Sequence, residues 1–454
     1  MIRPLSLSAI AKLCGGRFSG ADVAVSSVAI DSRKLHPGGL FVALRGERVD
    51  GHDFLSAAVA NGAAAALVNH VSECLPCVQV EDSYAALAAL AAENRRQFPG
   101  PLVALTGSSG KTSTKNILAT LLADRGEVLA TAGNYNNELG VPLTLLDIGE
   151  RHDFAVIEMG AAKAGDIRYL CQIAAPEIAI LTNAQAAHIQ GFGSLDGVAR
   201  SKGEIFEALP AGGLAVINAD DAYCSQWQQQ AAHCRQRLFS LTSDKADIYA
   251  RDIELQGAAG SRFTLHSSVG SVAVELPLAG RHMVANALAA AAVALELGLS
   301  LPQIAAAMAR VRGVAGRLCR QHIRGVTLID DSYNANPGSV RAAINVLAAE
   351  AGRRLLVLGT MAELGANAVA QHVEVARYAA QSGIDRLLVV GEFAEPMALE
   401  FGSGAVPFAD KTELMAVLAA ELQGIDAVLV KGSRSAAMEV VVQALQQQLS
   451  GENS

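Results

Sequence analysis

The chain has 454 residues, of which 51% are hydrophobic, 18% charged and 4% aromatic, and its formal net charge is -8. That length supports two to four domains, each with a core of its own, and excludes a disordered chain. The acidic balance provides no field for nucleic acid or an anionic membrane, so an anionic substrate must be held by local cations or metal ions.

The run from Leu5 to Ala11 is short and is followed by Lys12, which argues against a targeting segment. The longest apolar helix-like run, Val284 to Leu295, contains Asn286 and falls short of a membrane span. Seven cysteines, an odd number, fit reduced thiols in a cytosol, so a cytoplasmic location is expected. Cys74 and Cys77 form a lone CxxC with no second pair nearby, which reads as burial rather than zinc or redox chemistry.

Three regions follow from the pattern, an α/β chain of three domains. The first, residues 1–83, mixes short strands with one helix, and Phe41 to Leu44 reads as a buried strand. An Ala-rich linker helix spans 84–98 and is stopped by Pro99, Gly100 and Pro101. It opens a central domain, 84–313, with apolar strands at Leu102–Thr106, Phe154–Ile157, Ile178–Leu181 and Leu214–Ile217. Helix-like stretches between them imply βαβ units and a mainly parallel sheet. Residues Ile248 to Leu278 read as a small antiparallel insert, followed by a helix from about Val284 to Leu297. The third domain, 314–454, repeats the alternation with strands at Val326–Ile329, Leu355–Leu358, Leu387–Val390 and Ala427–Val430, a smaller Rossmann-like unit. The last five residues, from Ser450, read as frayed.

The strongest chemical signal is Thr106-Gly107-Ser108-Ser109-Gly110-Lys111-Thr112-Ser113, placed after a strand and opening a helix. Glycines let backbone N–H groups curl around phosphates, and the helix N-terminus adds partial positive charge. Lys111 can reach the β and γ phosphates of ATP, and the Thr112 hydroxyl can ligate Mg²⁺. Leu105 stands where an ordinary P-loop has its first glycine. Glu158 ends a strand at the edge where open α/β sheets place ligand residues, either as a metal ligand or as an ordinary strand-end acid. His188 follows the next strand and Lys202 sits on an amphipathic helix. Position alone favours a satisfied structural histidine and a solvated lysine. Arg317 lies at a domain hinge, from which it could reach a γ-phosphate or form an interdomain ion pair. Asp330-Asp331-Ser332-Tyr333-Asn334-Ala335-Asn336-Pro337 suggests a binding loop, although turns favour the same residues.

Taken together these segments resemble the Mur ligase family. The resemblance rests on Asp31-Ser32-Arg33-Lys34 and Gly51-His52-Asp53-Phe54 in the first region. In the second it rests on the phosphate loop, Gly133-Asn134-Tyr135-Asn136-Asn137-Glu138, Glu158-Met159-Gly160 and the run from His188 to Lys202-Gly203-Glu204-Ile205-Phe206. In the third it rests on the Asp330 to Asn336 loop, Met361-Ala362-Glu363-Leu364-Gly365 and Lys431-Gly432-Ser433-Arg434-Ser435. The Asp-Ser-Tyr-Asn-Ala-Asn and Met-Ala-Glu-Leu-Gly strings resemble the branch that adds D-Ala-D-Ala.

The resemblance implies a uridine-diphosphate-binding first domain, a central P-loop ATPase domain and a Rossmann-like ligase domain. It implies an ADP-forming amide ligase that joins D-Ala-D-Ala to UDP-N-acetylmuramoyl-tripeptide through an acyl phosphate, working as a monomer in peptidoglycan precursor synthesis. Its cofactors would be ATP, two Mg²⁺ ions and a CO₂-derived carbamate on Lys202. The catalytic residues it implies are Lys111, Glu158, His188, Lys202 and Arg317, with Thr112, Glu158, His188 and carbamylated Lys202 on the metal. Asn286, Arg317 and Asp331 would join Gly107 to Ser113 around ATP. Ser32, Arg33, His52, Asn136, Asn137, Asn334 and Asn336 would meet the other substrates. A folylpolyglutamate-type ligase and a P-loop kinase are the rival readings.

Overall fold

The structure, a computed structural model, describes residues 1–450 except Glu47, Ser72, Ala187 and His188. The candidate ligand His188 therefore lies outside the described residues.

The N-terminal part is built on a five-stranded sheet in the order Arg17–Ser19, Cys77–Gln79, Ala65–Val68, Leu40–Val42, Val28–Ala29. Its strands run parallel except Arg17–Ser19 at one edge. Cys77 is buried in this sheet while Cys74 is exposed. The helix Ser83–Gln97 leads out, capped by the Asp82 carboxylate, which accepts from the Tyr84 and Ala85 N–H groups.

Two buried polar residues fix this helix. Asn94 donates to the carbonyls of Leu145 and Ile148. Arg95, 5% exposed, donates to the carbonyls of Phe98, Ala174 and Ala175 and pairs with Glu177. Removing that guanidinium leaves three carbonyls without a charged donor. Arg95→Ala is therefore expected to cost about 2–4 kcal/mol in a denaturant titration, with Arg95→Lys recovering only part of the loss.

The central sheet has nine strands, in the order Gly270–Leu276, Ser261–Ser267, Ile248–Leu255, Arg235–Ser240, Leu214–Asn218, Ile178–Leu181, Leu102–Thr106, Phe154–Glu158, Val128–Ala130. Leu102–Thr106 and Phe154–Glu158 are buried throughout, as strands covered by helices on both faces must be. Leu105 pairs within this sheet with Glu158 and Ile180, so the position that is glycine in ordinary P-loops here still belongs to the strand. The expected antiparallel pairing within Ile248 to Leu278 is present, and it continues the main sheet. Ile248–Leu255 joins the main sheet parallel to Arg235–Ser240, and the hairpin of Ser261–Ser267 and Gly270–Leu276 extends it. The Ala-rich helix Arg281–Glu296 starts three residues earlier than the sequence suggested and packs closely on Lys111–Leu122, which its small side chains permit.

The third part is a six-stranded sheet, Cys319–Ile323, Val326–Asp331, Ala427–Lys431, Arg354–Gly359, Arg386–Val390, Ala405–Phe408, parallel except for the first strand. The chain end is more ordered than expected at one position: Ser450 closes the helix Glu439–Ser450 instead of fraying.

Candidate active site

A cleft of about 880 Å³ opens where the phosphate loop and the C-terminal ends of the central strands face the third sheet. Its walls include Ser108 to Ser113, Asn136, Asn137, Glu158, Lys202 and Asn286 from the central part, and Arg317, Asp331, Asn334, Asn336 and Lys431 from the third. Residues more than two hundred positions apart in sequence thus share one space. Ser32, Arg33 and His52 do not line it.

The loop is held open by its neighbours. Ser108 N–H donates to the Asn183 carbonyl at 3.0 Å and Ser109 N–H to the Asn183 side-chain oxygen at 3.0 Å. Thr182 Oγ1 donates to the Ser109 carbonyl at 2.7 Å. Gly107 and Gly110 adopt φ of 153° and 84°. A Cβ on Gly107 would sit 1.8 Å from Thr182 Oγ1, and one on Gly110 would sit 2.5 Å from Asn286 Oδ1. Both positions need glycine, for conformation and for space. Gly110→Ala is expected to weaken ADP binding by about ten- to a hundredfold, the equivalent of 1–3 kcal/mol of backbone strain and displacement, as read by isothermal calorimetry.

Lys111 is half-buried and its Nζ donates to the Gly107 carbonyl at 2.7 Å. Desolvation lowers its pKa, Glu158 opposes the shift and Arg317 adds to it. The buried Glu158 carboxylate accepts from Thr112 Oγ1 at 2.8 Å and from Asn136 Nδ2 at 2.8 Å. Lys202 is 2% exposed, with its ammonium 5.7 Å from the centre of the Phe192 ring. Burial first, and the charge of Lys111 second, pull its pKa down to about 7.

From the other wall, Asn336 Nδ2 donates to Ser109 Oγ at 3.0 Å, tying the third part directly to the phosphate loop. Arg317 stacks on Tyr333 with its guanidinium carbon 4.1 Å from the ring centre. Asp331 is buried and pairs with Lys431, which also donates to the Asn334 carbonyl at 2.8 Å. Burial pushes the Asp331 carboxyl up, against the pull of Lys431 and Arg317. His282 lines the same cleft, its pKa brought down to about 4 by desolvation and then by Lys431.

The N-terminal candidates have other partners. Ser32 is buried, and the 85% exposed Arg33 side chain is forked onto Asp31 at 2.8–2.9 Å. The His52 ring uses both nitrogens: Nδ1 contacts Asp50 at 2.6 Å, and Nε2 accepts from Asn69 N–H at 3.0 Å. One ring face also stacks on His70, with the centroids 4.4 Å apart, so little of this buried histidine is left for a ligand.

Three family descriptions match in succession: "Mur ligase family, catalytic domain" over residues 24–104, "Mur ligase middle domain" over 105–294 and "Mur ligase, glutamate ligase domain" over 316–434. The chain belongs to the Mur ligase family. Among Mur ligases, the UDP-N-acetylmuramoyl-tripeptide–D-alanyl-D-alanine ligase of Escherichia coli (strain K12) is 48% identical over 98% of this chain and 98% of its own. The crystal structure of MurF from Acinetobacter baumannii superposes with a TM-score of 0.93 at 34% identity, covering 98% and 99% of the two chains. MurF from Thermotoga maritima, in complex with ADP, follows at 0.82 and 29% identity, over 94% and 98%.

Several side chains that build this Mur ligase cleft gave no signal in sequence. Thr131, Asn183 and Gln185 each act by contacting a motif residue, and Lys115 by contacting Thr131, and no spacing rule marks such contacts. The donor chemistry also suits Mg²⁺. The Thr112 hydroxyl and the buried Glu158 carboxylate lie side by side, 2.8 Å apart, and are the hard oxygen donors that ion takes.

Proposed function

We propose that the protein joins D-Ala-D-Ala to UDP-N-acetylmuramoyl-tripeptide, with cleavage of ATP to ADP and phosphate, in the making of peptidoglycan precursors. The observation that carries this reading is the cleft itself. It sets the phosphate loop, Glu158 and Lys202 against Arg317, Asp331 and the Asn334–Asn336 loop, in a chain collinear with ligases that bear that name.

A carboxylate is a poor electrophile in water. The tripeptide's terminal carboxylate takes the γ-phosphoryl group of ATP, with ADP leaving. The dipeptide amine then attacks the acyl carbon, and phosphate departs as the amide forms. Lys111, the N–H groups of the helix N-terminus that it opens, and Arg317 offset the charge gathered between the two anions. Asp331 and Asn286 hold the nucleoside, while Asn136, Asn137, Asn334 and Asn336 border the reacting ends. Ser32, Arg33 and the ring of His52 serve the uridine-diphosphate end. Thr112, Glu158 and Lys202 as its carbamate would hold Mg²⁺, with His188 as a fourth donor; the metal supplies Lewis-acid polarisation and charge neutralisation at the phosphates. Lys202 suits the carbamate because a buried amine with a pKa of about 7 is largely neutral near physiological pH, and only the neutral amine adds CO₂. Water is excluded as the third part closes over the loop, a contact already made by Asn336 and Ser109. The enzyme works as a cytoplasmic monomer.

The test is a coupled phosphate-release assay with ATP, Mg²⁺ and UDP-N-acetylmuramoyl-tripeptide, with and without D-Ala-D-Ala, and mass spectrometry of the product. Dipeptide-dependent phosphate release and a product heavier by one dipeptide less water are expected. Turnover indifferent to the dipeptide would overturn the acceptor, and a stable phosphoester product would overturn the ligase.

A further inference from the structure

Lys115 lies one helical turn beyond Lys111 on the helix Lys111–Leu122, and is 4% exposed. A buried ammonium is costly unless it is well paired. Yet among the described residues the single hydrogen-bond acceptor it reaches is the Thr131 carbonyl, at 2.5 Å. At a helix position packed on a sheet, methionine or leucine would fill the space without that cost. Desolvation lowers the pKa of Lys115, and the charges that act on it are Glu158, which attracts, and Arg317, which repels. Thr131 links the two ends. Its own N–H donates to the Val156 carbonyl at 3.1 Å, and its Oγ1 accepts from Glu158 N–H at 2.9 Å. Beyond that amide, the Glu158 carboxylate meets Thr112 and Asn136. A continuous chain of contacts therefore runs from the Lys115 ammonium, through the carbonyl and hydroxyl of Thr131, to the backbone of the carboxylate that faces Thr112.

We propose that Lys115 is a positioning residue for the metal site: acting through Thr131, it fixes the end of the strand Phe154–Glu158 so that the Glu158 carboxylate stays aimed at Thr112. The inference rests on the ligase reading for the identity of the reaction, but the metal site it concerns can be read without turnover. The charge is kept at a stability cost because the carboxylate, and not the core, needs it. Residues that orient metal ligands from behind typically change metal affinity by about ten- to a hundredfold when removed.

The experiment uses the full chain with Lys115→Met, Lys115→Arg, Thr131→Val and the Lys115→Met/Thr131→Val pair. Mn²⁺ binding in the presence of ADP is followed by electron paramagnetic resonance, beside thermal melting and the Mg²⁺ dependence of dipeptide-dependent phosphate release. Lys115→Met is expected to raise the Mn²⁺ Kd about tenfold or more with Tm unchanged or higher, and Lys115→Arg to restore much of the affinity. The double variant should be no worse than the poorer single one, because both changes break one chain of contacts. A wild-type Mn²⁺ Kd in Lys115→Met, or a loss of affinity matched by a fall in Tm and left unrescued by arginine, overturns the proposal. Absence of dipeptide-dependent turnover in the unaltered enzyme would instead strike the ligase reading and leave the Mn²⁺ result to stand by itself.

Discussion

Lys202→Ala is expected to lose about a thousandfold in turnover, and formate or acetate added to the assay should restore part of it. The magnitude follows from removing one anionic ligand of a metal that stabilises several kcal/mol of transition-state charge, at about 1.4 kcal/mol per tenfold in rate. The partial rescue follows from geometry: alanine leaves a space beside Lys111 and Phe192 that a small carboxylate can enter, in place of the carbamate. The pH dependence separates this account from a lysine that only packs. Carbamate forms from the neutral amine, so at limiting CO₂ the wild-type rate should fall as pH drops through about 7. The acetate-rescued variant should lack that inflection. Stability in CO₂-free buffer carries the same signature. The folded pKa is about 7 against an ordinary 10.5, so between those values the unfolded chain binds a proton that the native chain does not. Native stability therefore rises with pH across that window, and the rise should be smaller in Lys202→Ala, where only the lowered Lys111 and Lys115 still contribute to it. Full activity of the unrescued variant would end the carbamate assignment.

What could be read from the sequence depended on how local its cause was. Glycines at positive φ, a strand-end acid and an Ala-rich helix announce themselves in a few residues, and Gly107 to Thr112, Glu158 and the linker helix stand where the pattern put them. Strands with polar sides, or short ones that carry a proline, leave no clear run to read. Arg235–Ser240 begins Arg-Gln-Arg, Cys319–Ile323 is an edge strand of largely exposed polar residues, and Ala405–Phe408 contains Pro407 at a sheet edge, where a missing N–H is tolerated. In each, pairing with a neighbour supplies the strand, and pairing is not a property of the segment. The same reason hid Lys115. It looks like a solvated lysine in sequence, and only the tertiary fold shows that its ammonium is buried against the Thr131 carbonyl. For His52 and Arg33, sequence marked the right kind of residue but not the internal partners, Asp50, Asn69 and Asp31, that already occupy their polar groups.

Lys111→Met should be as damaging to the chemistry, by about a thousandfold in kcat, while leaving ADP bound. Methionine keeps most of the apolar stem, so packing is largely retained, and the charge and its bond to the Gly107 carbonyl are lost. The N–H groups of the helix N-terminus still meet the phosphates, and they account for the residual binding. What disappears is a cation already held over the loop by the Gly107 carbonyl, ready for charge that accumulates as the γ-phosphoryl group moves. Losing one such preorganised donor typically costs a hundred- to a thousandfold. A second consequence is specific to this cleft. Lys111 is the neighbouring charge that, after desolvation, lowers the pKa of Lys202. Without it the Lys202 ammonium is better tolerated, its pKa moves up from about 7, and carbamate formation shifts to higher pH. Carbon-13 NMR with labelled CO₂ would read this directly, as a carbamate signal whose pH midpoint in Lys111→Met lies above that of the wild type. An unchanged midpoint would mean that burial alone prepares Lys202, and that the two lysines serve the reaction independently.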